Sequence, residues 1–265
     1  MKNIFYGIAS YHRPECKTLS TLTKLGIPSN RIVVSLNDER DYKEYSRRYG
    51  KTVKVIYRPG NCVANNRNNL LEHFPAGSHV VILDDDIRGF KKYRANGEPL
   101  GKLWPIETGA ELEKMIAESF EVAELEGIPF FGFYSSENLH MLLTGNFKDG
   151  VYSKDRIYQG GFCGFVIDDN WRYNNSYRVL DDYEILMRLW TKGGHTFRRN
   201  DCVAVKPKMA SCKGGYYDLY QRGIQKKFMI KLLQDYPGVF TVKKDFSGLI
   251  LKPTFRNKIN RRPKK

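Results

Sequence analysis

The chain has 265 residues, 41% hydrophobic and 13% aromatic, enough for a sizeable core in one large α/β domain or two small ones. No run of about 18 apolar residues is present to span a bilayer, and the start MKNIFYGIASYHRPE lacks the apolar core of a signal peptide. These features predict a soluble protein of the cytoplasm. The formal net charge of +15 is high for a small-molecule enzyme and argues for a polyanionic partner.

In chain order, Asn3 to Ala9 reads as a strand. Pro14 suits the first turn of a helix, and Leu19, Leu22 and Leu25 recur at helical interval. Arg31 to Leu36 is a second strand ending at Asn37 and Asp38, followed by a polar helix over Asp41 to Tyr49. Val53 to Tyr57 is a third strand, and after Arg58-Pro59-Gly60 a helix runs from Val63 to Phe74. Val80 to Leu83 is then a β-branched run of the kind buried on both faces of a parallel sheet, and it leads straight into Asp84, Asp85 and Asp86. Alternating strands and helices predict a mostly parallel, doubly wound sheet, in which the carboxyl ends of the strands face the ligand crevice.

Three adjacent carboxylates are rationalised either by a divalent cation, Mn²⁺ or Mg²⁺, or by an acidic turn that ends the strand. Further on, Pro105 to Gly127 reads as an acidic helix with Leu112, Met115, Ile116, Phe120 and Ala123 on its apolar face. Ile128 to Tyr134 and Gly161 to Ile167 read as strands. The stretch VLDDYEILMRLWTKGG places Asp181 and Asp182 before an amphipathic helix, either as a first-turn cap or as catalytic acids, and Phe228 to Leu233 is a short helix.

The five cysteines, Cys16, Cys62, Cys163, Cys202 and Cys212, are odd in number and include no CxxC pair, which predicts reduced thiols. Basic residues cluster in two places. Lys252 to Lys265 holds seven Lys or Arg and no acid. Lys206 to Lys231 carries Lys206, Lys208, Lys213, Arg222, Lys226, Lys227 and Lys231 against Asp218 alone, with Tyr216, Tyr217 and Tyr220 among them. Cations mixed with rings suit a nucleic-acid surface, and an anionic-membrane patch is the other reading.

SYHRPE at Ser10 to Glu15, the strand ending Asn37-Asp38, Arg67-Asn68 in VANNRNNLL, the strand ending in Asp84-Asp85-Asp86, and the later Asp181-Asp182 follow one another in an order that resembles glycosyltransferases of the GT-A fold, most closely the inverting, family-2-like members. The resemblance implies a GT-A (Rossmann-like) catalytic domain over residues 1–251, with a nucleotide-sugar half at 1–104, an acceptor half at 105–251 and a basic tail at 252–265. It implies that Asp84 and Asp86 hold Mn²⁺ or Mg²⁺, and that Ser10, Tyr11, Arg13, Asn37, Asp38, Arg67, Asp84 and Asp85 line the pocket for a UDP-sugar. Asp182 is then the general base, and Asp181 stands where the family has Glu. Many relatives place a late histidine on the metal near CVAVKPK, where this chain has Lys206. His12 and His195 read as loop or core residues. The expected reaction moves a hexose, glucose by expectation, from a UDP-sugar to a hydroxymethylated base in DNA, as in phage-type enzymes acting in a host cytoplasm. A surface polysaccharide or lipid-linked acceptor, a nucleotidyltransferase, and a non-enzymatic nucleic-acid-binding protein on the same scaffold are the alternatives.

Overall fold

The computed structural model of the chain describes residues 2–13, 15–94, 101–134, 137–138, 150–158, 160–207, 223–242 and 249–251. The first four strands are parallel and lie in the order β3, β2, β1, β4: β1 is Ile4–Ala9, β2 Ile32–Leu36, β3 Lys54–Tyr57 and β4 His79–Asp84. Helices α1 (Lys17–Lys24), α2 (Glu39–Tyr49) and α3 (Val63–His73) connect them. All seven elements stand within two residues of the predicted bounds, apart from the start of α1; Pro14 lies outside the described residues. Val80, Val81, Ile82 and Leu83 of β4 are fully buried, each contributing about 1.5–3 kcal/mol of apolar burial. Their period of two splits them between two cores. Val80 and Ile82 face α3 and the later helices, and Val81 and Leu83 face α1 and α4 (Gly109–Glu126).

Beyond Asp84 the expected alternation fails, and the sheet becomes mixed. The chain runs through β5 (Gly89–Arg94) and β6 (Lys102–Pro105) before α4, then β7 (Phe130–Tyr134), β8 (Tyr152–Lys154), β9 (Phe162–Val166), α5 (Asp181–Thr191), β10 (Phe197–Val205) and α6 (Ile224–Asp235). The full order is β3, β2, β1, β4, β9, β7, β10, β5, β6, with β8 beside β10, making ten strands in one sheet. β9 enters antiparallel to both β4 and β7, so beyond the first four strands the sheet is mixed, with only β7 and β10 pairing parallel among the described strands. Gly164 in β9 makes this insertion possible: a side chain there would overlap the Phe131 ring, which packs across the strand. The remaining strands, β11 (Phe240–Val242) and β12 (Leu249–Leu251), form a separate antiparallel ribbon.

The acidic helix is shorter at its start than predicted, because Thr108 caps it by accepting from Glu111 N while Pro105 closes β6. Its expected apolar face is buried throughout. Cys16, Cys62, Cys163 and Cys202 are buried free thiols, and Cys212 lies outside the described residues. Among the described residues no helix is long and apolar enough to cross a membrane.

Candidate active site

The carboxyl ends of β1, β2 and β4 put Ser10, Asn37 and the aspartate triplet on one edge of the sheet. Helix α1 latches the triplet from below. Thr18, fully buried, donates to Asp84 O at 2.5 Å and accepts from Ile87 N at 2.9 Å, and Thr21 donates to Ile87 O at 2.9 Å. Thr18 and Thr21 carry no motif of their own, since a threonine inside an amphipathic helix reads as neutral.

The three aspartates have three different surroundings. Asp85 turns inward, where it accepts from Ser10 Oγ at 2.6 Å and pairs with Arg13 Nε at 2.9 Å. Burial pushes its carboxyl up to about 7 in spite of Arg13. It positions the Ser10–Arg13 loop. Asp86 meets the other end of the same guanidinium, Oδ2 to Arg13 Nη2 at 3.0 Å, while its Oδ1 is buried with no hydrogen-bond partner among the described residues. Burial, and next the charge of Asp84, raise the carboxyl above its ordinary value. Asp84 has both oxygens taken: Arg67 Nη2 donates to Oδ1 at 3.2 Å and Lys206 Nζ to Oδ2 at 2.8 Å. Burial opposes ionisation there, but the two cations overcome it and hold the carboxyl well below its usual range.

Arg67 carries the site across to the second acidic pair. Buried on α3, it donates through Nη1 to Asp181 Oδ2 at 2.7 Å while holding Asp84, so one planar fork joins the end of β4 to the start of α5. Burial raises Asp181 to about 6 against that pull. Asp182 is half-buried, accepts from Gly160 N at 3.0 Å and Tyr183 N at 2.9 Å, and is also raised by burial. The turn that aims the pair is strained. Leu180, the residue before α5, sits at φ 64°, a left-handed conformation costing a bulky residue on the order of 1–3 kcal/mol.

Gly160 and Gly161 admit this network. A Cβ at Gly160 would stand 2.8 Å from Arg67 Nη1 and 2.9 Å from Asp182 Cβ, and one at Gly161 would fall on the Asp84–Lys206 pair. Gly161→Ala is therefore expected to lower stability by about 1–3 kcal/mol through overpacking. Urea unfolding checks this, and an unchanged midpoint would show that the pair yields without cost.

The remaining predicted pocket residues fall into two groups. Ser10, Asn37 and Arg67 are buried, and Tyr11, Arg13 and Asp38 are half-buried on the same edge. Asn37 donates through Nδ2 to Cys62 O at 2.8 Å and leaves its Oδ1 buried with no partner among the described residues. Asp38 caps α2 by accepting from Asp41 N at 3.0 Å. His12, Asp38 and Asp41 bring ligand atoms within 4.8 Å of one another. The cap and the 2.6 Å bond from His12 N to Asp41 Oδ2 already account for that cluster. His195 is spent on Asp155 at 2.8 Å, as a core histidine would be.

Three asparagines beside Arg67 hold the site together, and of these only Asn68 belongs to a motif read in the sequence. Asn66 donates to Ser10 O at 2.7 Å, Asn68 holds Tyr173 through both its amide atoms, and Asn69 donates to Ser35 Oγ at 3.0 Å. A polar run on the buried face of a helix is the signal that could have found them. Of the expected nucleic-acid surface, Lys208, Lys213, Tyr216, Tyr217, Tyr220, Arg222 and residues 252–265 lie outside the described residues.

The chain matches no protein-family model and no curated protein.

Proposed function

We propose that this chain is an inverting glycosyltransferase of GT-A type that transfers a hexose from a UDP-sugar to a hydroxyl on a hydroxymethylated base in DNA. One observation carries the reading: Arg67 joins an acidic cluster at the carboxyl edge of the parallel strands to a second acidic pair, Asp181 and Asp182, at a helix start. A donor with an anionic leaving group and an acceptor that must lose a proton need two such centres side by side. The high positive charge favours DNA over a neutral acceptor.

The residues fit a divalent cation at Asp86, whose Oδ1 is buried and unpartnered among the described residues, better than at Asp84, whose oxygens both hold cations already. Asp86 would hold Mn²⁺ or Mg²⁺, which when bound supplies Lewis-acid charge for the departing diphosphate. Lys206 and Arg67 add fixed positive charge beside it. Asn37 Oδ1, a buried acceptor awaiting a donor, suits the imide N–H of uracil. Asp182 Oδ takes the proton of the acceptor hydroxyl as that oxygen attacks the anomeric carbon from the face opposite the diphosphate. The C–O bond to the diphosphate breaks with its electron pair, leaving UDP and an inverted glycoside.

The test is incubation with Mn²⁺, a panel of UDP-sugars, and either hydroxymethylated or plain DNA, followed by digestion and mass spectrometry of the nucleosides. A hexose added to the modified base alone is the expected result. Transfer to a lipid-linked or polysaccharide acceptor would overturn the DNA assignment, and neither transfer nor hydrolysis of any UDP-sugar would overturn the enzyme. Lys206→Met separates the roles of the two cations. It is expected to weaken UDP binding by roughly 10-fold to 100-fold even in chelator, the magnitude of a lost charged hydrogen bond of about 1.5–3 kcal/mol. Calorimetry showing full affinity in chelator would remove Lys206 from the diphosphate site.

A further inference from the structure

A cavity of about 510 Å³ opens between α1 and β5, outside the carboxylate network. Four cations rim it, Lys17 and Lys24 from α1 and Arg88 and Lys91 from the β5 side, and no carboxylate is among its described lining residues. Lys17 pairs with Glu15 and Lys91 with Glu137 at the rim, but these pairs are solvent-exposed and worth little. The floor is apolar, made by Leu25, Phe90, Pro105 and Ile106, and Ser20 and Thr21 add hydroxyls. Its size falls in the range of small-ligand sites, roughly 300–1,000 Å³, and exceeds what a lone phosphate fills.

An apolar floor under a cationic rim matches one chemical unit well: a nucleotide whose ring lies on the floor and whose phosphodiesters meet the rim. One wall of the cavity is joined along the chain to the acidic site through β10. Arg88 N donates to Val205 O at 2.8 Å, Val205 lines the cavity, and the next residue, Lys206, holds Asp84.

We infer that this cavity is a nucleic-acid-binding site that seats one nucleotide of a bound strand. The inference rests on the proposed function only for the acceptor class, and names where that acceptor is gripped. Its cations come from α1 and β5, elements outside the two basic stretches of the sequence.

Lys91 supplies a probe from β5, since it lines the cavity. The experiment measures anisotropy of a labelled oligonucleotide, single-stranded and duplex, with the full chain across a salt series. Lys91→Glu and Lys24→Glu, placed on different elements, are compared with Lys51→Glu, an exposed position in the turn before β3 that changes charge as much as either. The first two are expected to bind at least 10-fold more weakly at about 0.1 M salt and to flatten the salt slope by about 0.7–0.9 for each phosphate that is no longer neutralised, while Lys51→Glu weakens binding by less than about 3-fold. Circular dichroism confirms that each variant is folded, and UDP affinity is expected to stay unchanged. Effects no greater than that of Lys51→Glu would overturn the inference. So would a fall in UDP affinity, which would make the cavity a donor site, or weakened binding to anionic vesicles with none to oligonucleotide. Site-specific weakening of nucleic-acid binding in a chain that turns over no UDP-sugar would leave this inference standing while the glycosyl-transfer reading fell.

Discussion

Asp182→Asn is expected to leave UDP-sugar affinity unchanged and to lower turnover by roughly 10²-fold to 10⁴-fold, the range for loss of a general base. The amide keeps the shape of the side chain, and its carbonyl still accepts from one of the two amides, Gly160 N or Tyr183 N, that now orient the carboxylate. What disappears is the site for the acceptor's proton. The same assignment fixes a pH dependence. Because burial raises the Asp182 carboxyl from its ordinary value, turnover of the parent should fall on the acidic side at a higher pH than an unburied aspartate would give, and this limb should vanish in the variant. Calorimetry with UDP and a pH–rate profile check both parts. Loss of donor affinity in Asp182→Asn would put the residue in the donor pocket instead.

Arg67→Met carries the largest expected cost to stability, about 3–5 kcal/mol, because it leaves the buried Asp181 without its counter-charge and weakens the hold on Asp84. For a chain of this size that corresponds to a drop in Tm of about 10 °C. The sign of its pH dependence follows from Asp181. Its folded pKa, about 6, lies above the unfolded value, so its contribution to stability is fully present below the unfolded pKa and is lost as pH rises through about 6. Without Arg67 that loss is larger, so the deficit of the variant should be greatest above pH 6 and shrink toward pH 5. Denaturant unfolding at pH 5 and pH 8 measures it. A deficit under about 1 kcal/mol at pH 8 would mean that the guanidinium is not the counter-charge of Asp181.

The half of the fold that sequence could deliver is the half in which burial follows hydropathy. β4 is a run of four apolar residues, and α1 to α3 are separated by plain strand and turn signals, so the parallel strands and the position of the triplet follow directly. β10 breaks the rule. Its sequence FRRNDCVAV looks solvated, yet Arg198, Arg199 and Asn200 are buried. Arg199 is neutralised by Asp201 at 2.6 Å and Glu118 at 2.9 Å, and Glu118 is a partner that only the fold brings within reach. The same limit hid the partners of Asp84. Asp84, Asp86 and Asp182 are legible as acids, but nothing in their spacing says that Lys206, 122 positions away, closes on Asp84, or that Asp85 serves the loop beside it.

The guanidinium of Arg67 is a rigid plane that grips Asp84 and Asp181 with different nitrogens, so it cannot move toward one partner without leaving the other. A diphosphate that competes for this cation at the Asp84 side therefore alters the field felt by Asp181 and its neighbour Asp182. Under the proposed reaction, the donor and acceptor centres are then linked thermodynamically through a single side chain. Reciprocity then requires that whatever factor the bound donor applies to acceptor affinity, the bound acceptor applies to donor affinity.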